Sequence, residues 1–488
     1  MGFSFSYKEH NIKNLTTMKK ILFTFALILT TMCVTAQDDD TALSSIYQKF
    51  AFTLFDKVVE NKEDGGMNII LSPLSAQMAL SMVQNGAAGN TLAEIQQVLG
   101  TSAFSTEQVN KYNRKVAEKL TYRPSVNKDE VSNTSYPVCE LANGTWAKPG
   151  ITLYDSFKEK LATYYDAEAG TVDFGTQEGI DVINKWANEK THGLIPSIYD
   201  EPDPYLSAVL ANALYFKGNW TVPFETNYTK TRKFHLIDGQ TMDVDMMRMF
   251  YEYFKISKSD KFHTVTLPYG VKGDFTMTIF LPTDKQGFPS LTYEDWTFAN
   301  KTSKSTLLNL QMPKFSIDDN HSLTDILQEL GMVEAFTPLA DFSLESLDPL
   351  MISKVFQLAK IIVDEEGTEA AAVTVIDETE TSIGDEEDPE DFIIDHPFYF
   401  TIENKSTQTI LFMGQVLTIT GYPSGDVNHD GTVNVVDVMT TVNYVLTGNV
   451  PNFHIENADV NNDGLTDVSD VMGIVNIVLN SPSGAPIQ

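Results

Sequence analysis

Cysteine is nearly absent from this 488-residue chain: there are two, Cys33 and Cys139. Cys33 falls in a stretch that reads as a cleavable signal, so an intramolecular disulfide framework is excluded. The remaining thiol reads as a small buried hydrophobe rather than a nucleophile. Basic residues are also scarce, with 34 Lys and Arg against 66 Asp and Glu, a formal net charge of −32. That balance argues against binding nucleic acid or an anionic membrane through bulk electrostatics. It suits a soluble secreted protein, or one that binds cations. Long apolar runs are missing too. Residues 21–31 are of signal-peptide length and too short to span a bilayer as a mature helix. They follow Met18-Lys19-Lys20 and precede Val34-Thr35-Ala36, a small-residue cleavage site before Gln37. Residues 1–36 are therefore read as an upstream extension plus a secretory signal. Lipid anchoring through Cys33 is the weaker alternative, because Met32 stands where such signals need a small residue. Neither G-x-S-x-G nor H-E-x-x-H occurs, and the eight His show no ligand spacing. No catalytic residue is proposed, and His396, in the turn Asp395-His396-Pro397-Phe398, reads as structural.

What is present is ample apolar material, 42% hydrophobic and 11% aromatic, in a chain long enough for two or three domains. The rest is arranged around residues 363–383. Ile361-Ile362-Val363 reads as the end of a buried strand, and Gly367 interrupts it. From Thr368 the chain alternates, with Thr368, Ala370, Ala372, Thr374 and Ile376 on one face. Glu369, Ala371, Val373, Val375 and Asp377 form the other. A period of two with one uncharged face predicts a half-buried strand. It runs straight into 377–391, which holds nine carboxylates and no Lys or Arg. Such a composition makes an exposed, self-repelling loop. A strand-competent segment continuous with a solvated loop can exchange between the two states; an edge strand followed by an acidic loop is the plainer reading.

Upstream, Ile46, Phe50, Leu54, Phe55 and Val58 give 44–61 a helical spacing, and a second helical stretch runs through Val83. Gly86-Ala-Ala-Gly is a turn before a helix start, with Thr91 three residues ahead of Glu94 as in a capping box. Residues 209–216 and 275–281 read as strands, the latter stopped by Pro282, and 322–330 as a helix stopped by Gly331. Helices lead, strands dominate later, and no βαβ alternation is sustained: the pattern predicts an α+β domain over 42–420.

Several stretches in this domain have a collective resemblance. They are Asn68-Ile-Ile-Leu-Ser-Pro-Leu-Ser75, Trp186-Ala-Asn-Glu-Lys-Thr-His-Gly193, Leu210 to Trp220, Pro313-Lys314-Phe315, Leu330-Gly331-Met332 and Asp341-Phe342-Ser343. They continue with 365–372 and Asp395-His396-Pro397-Phe398. In order, and over nearly the whole domain, these resemble the serpin family. The resemblance implies an α+β serpin fold, with a large five-stranded central sheet, smaller sheets, eight or nine helices and an exposed reactive-centre loop. It implies inhibition of serine proteases, and also of cysteine proteases, by a suicide-substrate route: the protease acylates the loop, which inserts into the central sheet as a new strand. Glu365, Glu366, Gly367, Thr368, Glu369, Ala370, Ala371 and Ala372 match the hinge of inhibitory members, and Val373 departs from it. Fourteen residues beyond Gly367 the scissile bond would be Thr381–Ser382. The loop is longer than usual, however, and counting back from Pro397 gives Glu386. Thr381 and Ile383 suit elastase-like or subtilisin-like targets, and Glu378 or Glu380 a glutamate-specific one. The absence of Lys and Arg counts against trypsin-like targets. Ser72, Ser75, Asn212 and Trp220 match the family's controls of sheet opening, and Gln357 stands where the family has His. Gln can still donate to a neighbour such as Asn212, but it does not titrate. A non-inhibitory carrier or structural component is the alternative function.

Beyond the linker 421–425 the composition changes: 426–488 holds eight carboxylates and no Lys or Arg. Two loops repeat, each followed by a helical apolar pattern. Asp426, Asn428, Asp430, Thr432, Asn434 and Asp437 form the first; Asp459, Asn461, Asp463, Leu465, Asp467 and Asp470 form the second. Oxygen side chains at positions one, three, five, nine and twelve, with Gly at six, are the hard-cation arrangement of a calcium loop, so two Ca2+ sites are predicted. This all-α segment, 426–482, resembles a dockerin module, which implies a cohesin-like scaffold partner. Its contacts would fall at Val435 and Val436, and at Val468 and Ser469. These are more apolar than the usual hydroxyl pair.

Overall fold

The computed structural model describes residues 39–61, 68–122, 136–195, 197–199, 201–368, 388–419, 425–428, 433–448, 450, 453, 455–460 and 465–480. The chain divides into two units, 1–45 and 46–488. Of the first, the described residues are the opening turns of α1 (Asp39–Asn61).

In chain order there follow β1 (Ile69–Leu71), α2 (Pro73–Val83), α3 (Gly89–Leu99), α4 (Thr106–Thr121), β2 (Val138–Ala147), α5 (Asp155–Tyr165), β3 (Glu168–Thr171) and α6 (Gln177–Lys190). Then come β4 (Ala208–Asn219), β5 (Lys230–His235), β6 (Thr241–Lys258), β7 (Phe262–Tyr269), β8 (Phe275–Pro282), α7 (Tyr293–Thr302), β9 (Lys304–Pro313) and β10 (Phe315–Ser322). The domain closes with α8 (Thr324–Glu329), β11 (Phe356–Val363), β12 (Gly367–Thr368), β13 (Glu390–Ile393), β14 (Phe398–Asn404) and β15 (Thr409–Val416). The C-terminal segment adds α9 (Val435–Thr447), α10 (Ile455–Ala458) and α11 (Val468–Asn480).

Local chemistry sets most of these boundaries. Ser72 caps α2, its hydroxyl accepting from Ser75 N at 3.2 Å, with Pro73 next in line. Capping boxes start α4 (Ser105 with Gln108) and α7 (Thr292 with Asp295). The expected box at Thr91 and Glu94 does not form. α3 starts at Gly89 after an Ala88 cap, so Thr91 lies inside the first turn. Its hydroxyl donates instead to Glu334 (2.7 Å), while Glu94 accepts from the N–H groups of Val333 and Glu334 (2.8 and 2.7 Å). The helix expected over 322–330 shortens to α8 because Ser322 still belongs to the β10–β11 ladder.

Two sheets carry the fold. One has nine strands, ordered β1-β15-β14-β8-β7-β6-β9-β13 with β5 on β6. β8, β14 and β15 are buried along their whole length, as continuous apolar runs at a sheet centre should be. The other is ordered β10-β11-β12-β4-β2-β3. Its β4–β2 half lies under α6, where Trp146 meets Trp186 edge-on at 5.1 Å among Ile180, Ile183 and Val209. In the C-terminal segment a small separate core forms from Val427, Ala458 and Ile474.

Candidate functional site

The seam of the second sheet is the site. Four of its strands run eight residues or more, the edge strand β3 is four residues, and β12 is two. Gly367 pairs with Asn219 and Thr368 with Gly218 on one side; Thr368 pairs with Val363 on the other. Among the described residues β4 and β11 share no ladder of their own, so β12 is what joins the two halves. At Gly367 a Cβ would lie 2.1 Å from the Gly218 carbonyl oxygen, so only glycine permits this approach. Thr368 is buried, and its hydroxyl meets the Tyr269 hydroxyl at 2.6 Å. Tyr269 is itself buried, which pushes its phenol pKa up and keeps it protonated. Trp220 stacks on that ring at 4.4 Å. The indole N–H donates to Asp364 O at 3.0 Å, and the Trp220 main-chain N–H to Glu366 O at 2.8 Å.

Charge closes the top of the seam. Glu365 pairs with Lys314 at 3.0 Å, both largely buried, and accepts from the Thr229 hydroxyl at 2.7 Å. Burial pushes Asp364 up to about 6, although the N–H groups of Glu366 and Gly367 donate to its carboxylate. Sequence reasoning missed Tyr269, Thr229 and Lys314 as parts of this arrangement. Lys314 had a signal in Pro313-Lys314-Phe315; Tyr269 had none, since only the tertiary fold brings it under Thr368.

Further down lie the positions expected to control opening. Gln357 grips the α2 cap with both ends of its amide: its Nε2 donates to Ser72 O (2.6 Å) and its Oε1 accepts from Ser72 N (3.0 Å). The expected donation to Asn212 is therefore not made. Asn212 Nδ2 donates to Asn143 Oδ1 on β2 at 2.5 Å, and Asn143 Nδ2 donates to Tyr165 O at 2.7 Å. Ser75 Oγ reaches Asn212 O at 3.5 Å. A small cavity lies here, lined by Ser75, Asn212, Leu323, Ile352, Val355 and Gln357. Of the remaining hinge residues, Glu369, Ala370, Ala371 and Ala372 lie outside the described residues, as do Val373, Thr381, Ser382 and Glu386.

Between β13 and β14, His396 bridges Asp395 Oδ1 and Pro282 O, each at 2.9 Å. Burial opposes ionisation of Asp395, but hydrogen bonds with His396 and Lys285 outweigh it and hold the carboxyl at about 2. These are packing contacts. Cys139 is buried.

In the C-terminal segment Asp426, Asp437 and Asp470 are fully buried in a stretch without a single Lys or Arg. They stand at positions one and twelve of the first loop and twelve of the second, and such oxygen donors suit a hard divalent ion, although among the described residues no cluster of three or more such groups is assembled. Asp437 Oδ1 accepts from Val427 N (3.0 Å) and Asn428 N (3.3 Å), and Oδ2 from Asn434 N (2.9 Å). Asn434 caps α9 through Val436 N (2.7 Å), and Asp467 likewise accepts from Ser469 N (2.7 Å). Asp459 and Leu465 are described; Asp430, Thr432, Asn461 and Asp463 lie outside the described residues. Val435, Val436, Val468 and Ser469 open the two helices and are exposed.

Two family profiles match. "Serpin (serine protease inhibitor)" covers residues 45–419, and "Dockerin type I domain" covers 424–479. The chain belongs to the serpin family. Serpin-Z3 of Arabidopsis thaliana is 33% identical over 385 residues, covering 75% of this chain and 95% of that one. Serpin48 of the insect Tenebrio molitor superposes with a TM-score of 0.68 at 29% identity, covering 79% of this chain and 100% of its own. Human thyroxine-binding globulin, complexed with its hormone, gives 0.69 at 25% identity with the same coverage. The seam is thus that of a serpin central sheet, and the chain is a serpin-family protease inhibitor, not an enzyme, with a dockerin domain attached. Among the described residues no helix is long and apolar enough to cross a membrane.

Proposed function

We propose that this serpin is a secreted suicide-substrate inhibitor of serine proteases, held to a cohesin-like scaffold by its calcium-loaded dockerin module. In this reading residues 1–36 carry the secretory signal, 42–420 form the inhibitory body, 421–425 the linker and 426–482 the docking module. The observation that carries it is the placement of Gly367 and Thr368. They sit as the first rungs of a strand between β4 and β11, at the mouth of a seam that is otherwise unpaired among the described residues. Continued insertion needs small side chains, and Ala370, Ala371 and Ala372 follow in the sequence. Elastase-like and subtilisin-like enzymes are the favoured targets, with Thr381–Ser382 as the scissile bond; cysteine proteases are a second class to test.

In the module, Ca2+ would be held by Asp426, Asn428, Asp430, Thr432, Asn434 and Asp437, and by Asp459, Asn461, Asp463, Leu465, Asp467 and Asp470. It would bring positive charge to these carboxylates. The exposed Val435, Val436, Val468 and Ser469 are assigned to the scaffold contact.

A carrier role is the second reading, favoured by Val373, by the long acidic loop and by the likeness to a thyroxine-binding globulin. Denaturing electrophoresis after incubation with elastase, subtilisin, a glutamate-specific protease and trypsin separates the two. A detergent-stable complex with one of the first three is expected, with the released fragment's mass placing the bond. Clean cleavage without any complex would overturn the inhibitory reading.

A further inference from the structure

The middle of the seam holds an acceptor that no side chain satisfies. Asn212 on β4 stands opposite Asn143 on β2 in the ladder, and the relay between them fixes which way each amide faces. Asn143 donates to the Tyr165 carbonyl at 2.7 Å, and a carbonyl can only accept, so the group Asn143 turns to Asn212 is its Oδ1. Asn212 must then donate to it through Nδ2. Its own Oδ1 is left buried, with no hydrogen-bond partner among the described residues. Buried acceptors are nearly always satisfied by protein or by ordered water, so this one calls for a partner.

The cavity that Asn212 shares with Ser75 and Gln357 supplies the place for one. It measures about 20 Å³. A water needs roughly 10–15 Å³ on this measure and two to four polar partners, so the space takes one water and excludes an organic ligand. Three polar side chains line it, and the remaining lining is apolar, Leu80, Leu323 and Ile352 included. Their chemistry is complementary to a water. Asn212 Oδ1 accepts. Gln357 Nε2 gives one N–H to Ser72 O at 2.6 Å and carries a second. Ser75 Oγ reaches Asn212 O only at 3.5 Å, the outer limit of a hydrogen bond, and its hydroxyl can serve in either role.

We infer that one buried water, held by Gln357, Ser75 and Asn212, is the polar latch between the two halves of the sheet at this level. The direct bonds of these side chains do not cross the seam: Gln357 on β11 grips α2 through Ser72, and Asn212 on β4 grips β2 through Asn143. A water touching both residues joins what their own bonds leave apart, nearly as well as a direct hydrogen bond would. Parting β4 from β11 then releases a solvent molecule and leaves the α2 cap and the Asn212–Asn143 relay whole. The latch follows from the fold and holds whether or not the chain traps a protease.

A high-resolution crystal structure of the full chain tests the site, and hydrogen exchange read by mass spectrometry tests the latch. The crystal is expected to show one solvent peak within hydrogen-bond distance of Asn212 Oδ1, Gln357 Nε2 and Ser75 Oγ. A cavity without that peak, or Asn212 Oδ1 turned onto a protein donor, would overturn the inference. For exchange, wild type is compared with Ser75→Ala. This variant leaves the α2 cap in place, because that bond uses the Ser75 N–H and not its hydroxyl. Removing one of the water's three partners is expected to speed exchange of the β4 and β11 amides flanking Asn212 and Gln357 by about threefold, with α6 unchanged. Equal exchange in the two proteins would show that the water, though bound, does not latch the seam. Faster exchange in α6 as well would mark a general loosening and count against the latch in the same way.

Discussion

Single residues set the stability of this fold in ways that depend on pH, and Glu345 does so most directly. It is buried between the end of α2 and α5: a Cβ on Gly86 would lie 2.6 Å from its own Cβ, with the Phe157 ring close by. Burial alone pushes its pKa from the usual 4.5 to about 7. The folded state therefore keeps its proton where the unfolded state has lost it. Stability is unaffected below pH 4.5, falls as pH rises from there, and has lost its full increment above pH 7. Glu345→Gln removes that loss. We expect the variant to be more stable than wild type by about 3 kcal/mol at pH 8 and close to it at pH 4. Urea unfolding at both pH values checks this, and an equal gain at each would show that charge burial is not the cause. Gln357 tells the opposite story. It does not titrate, and both its hydrogen-bonding ends are committed to Ser72. Sheet opening at this point should not vary with pH through residue 357.

At the scale of one element, β12 links fold to function through a single buried side chain. Thr368 fits under Trp220 and Tyr269, a place that accepts a hydroxyl but not an unpaired charge. Thr368→Arg should keep the hinge out of the seam, so that the protease cleaves the loop and escapes. We expect the complex band to be lost, cleaved chain to accumulate and cleavage to proceed at no less than the wild-type rate; Thr368→Ser should retain the complex. Electrophoresis at increasing inhibitor-to-protease ratio reads the partition. Of the alternating segment predicted from Thr368, only the start is described, in β12, and the rest lies outside the described residues. The reason for Gly367 was not legible in the sequence, since the Gly218 carbonyl that excludes a side chain is distant along the chain. The same holds for Thr91 and Glu94. Their spacing is that of a capping box, but three-dimensional neighbours at 333, 334 and 341 outcompete the helix start for the same groups. Buried strands such as β8 were readable from apolar runs ending in proline, whereas Asn143 and Tyr269 carry no local mark of their roles.

Over the whole molecule, charge divides the chain into a body with its own bases and a tail with none. In the serpin body Lys314 neutralises the largely buried Glu365, while the buried Glu345 has burial alone acting on it and stays protonated to higher pH. The dockerin segment holds no Lys or Arg of its own. Asp437 ties the first loop to the helix that follows it. Its carboxylate accepts three backbone N–H groups and completes the capping box that begins α9, bonds that favour the ionised form a cation would bind. If the module binds calcium as proposed, withdrawing the ion should melt the two thirteen-residue helices α9 and α11. Addition of EDTA is expected to lower far-UV ellipticity by an amount that calcium restores and magnesium, with its stricter octahedral demand, restores poorly. Asp437→Ala should abolish the response of the first loop alone, leaving a second calcium-binding event to calorimetry. In the proposed mechanism protease trapping works through the seam and the loop, not through these carboxylates. It should survive chelation unchanged while capture by an immobilised cohesin is lost. If chelation abolished trapping as well, calcium would have to act on the serpin body, and the assignment of the ion to the docking module alone would fail.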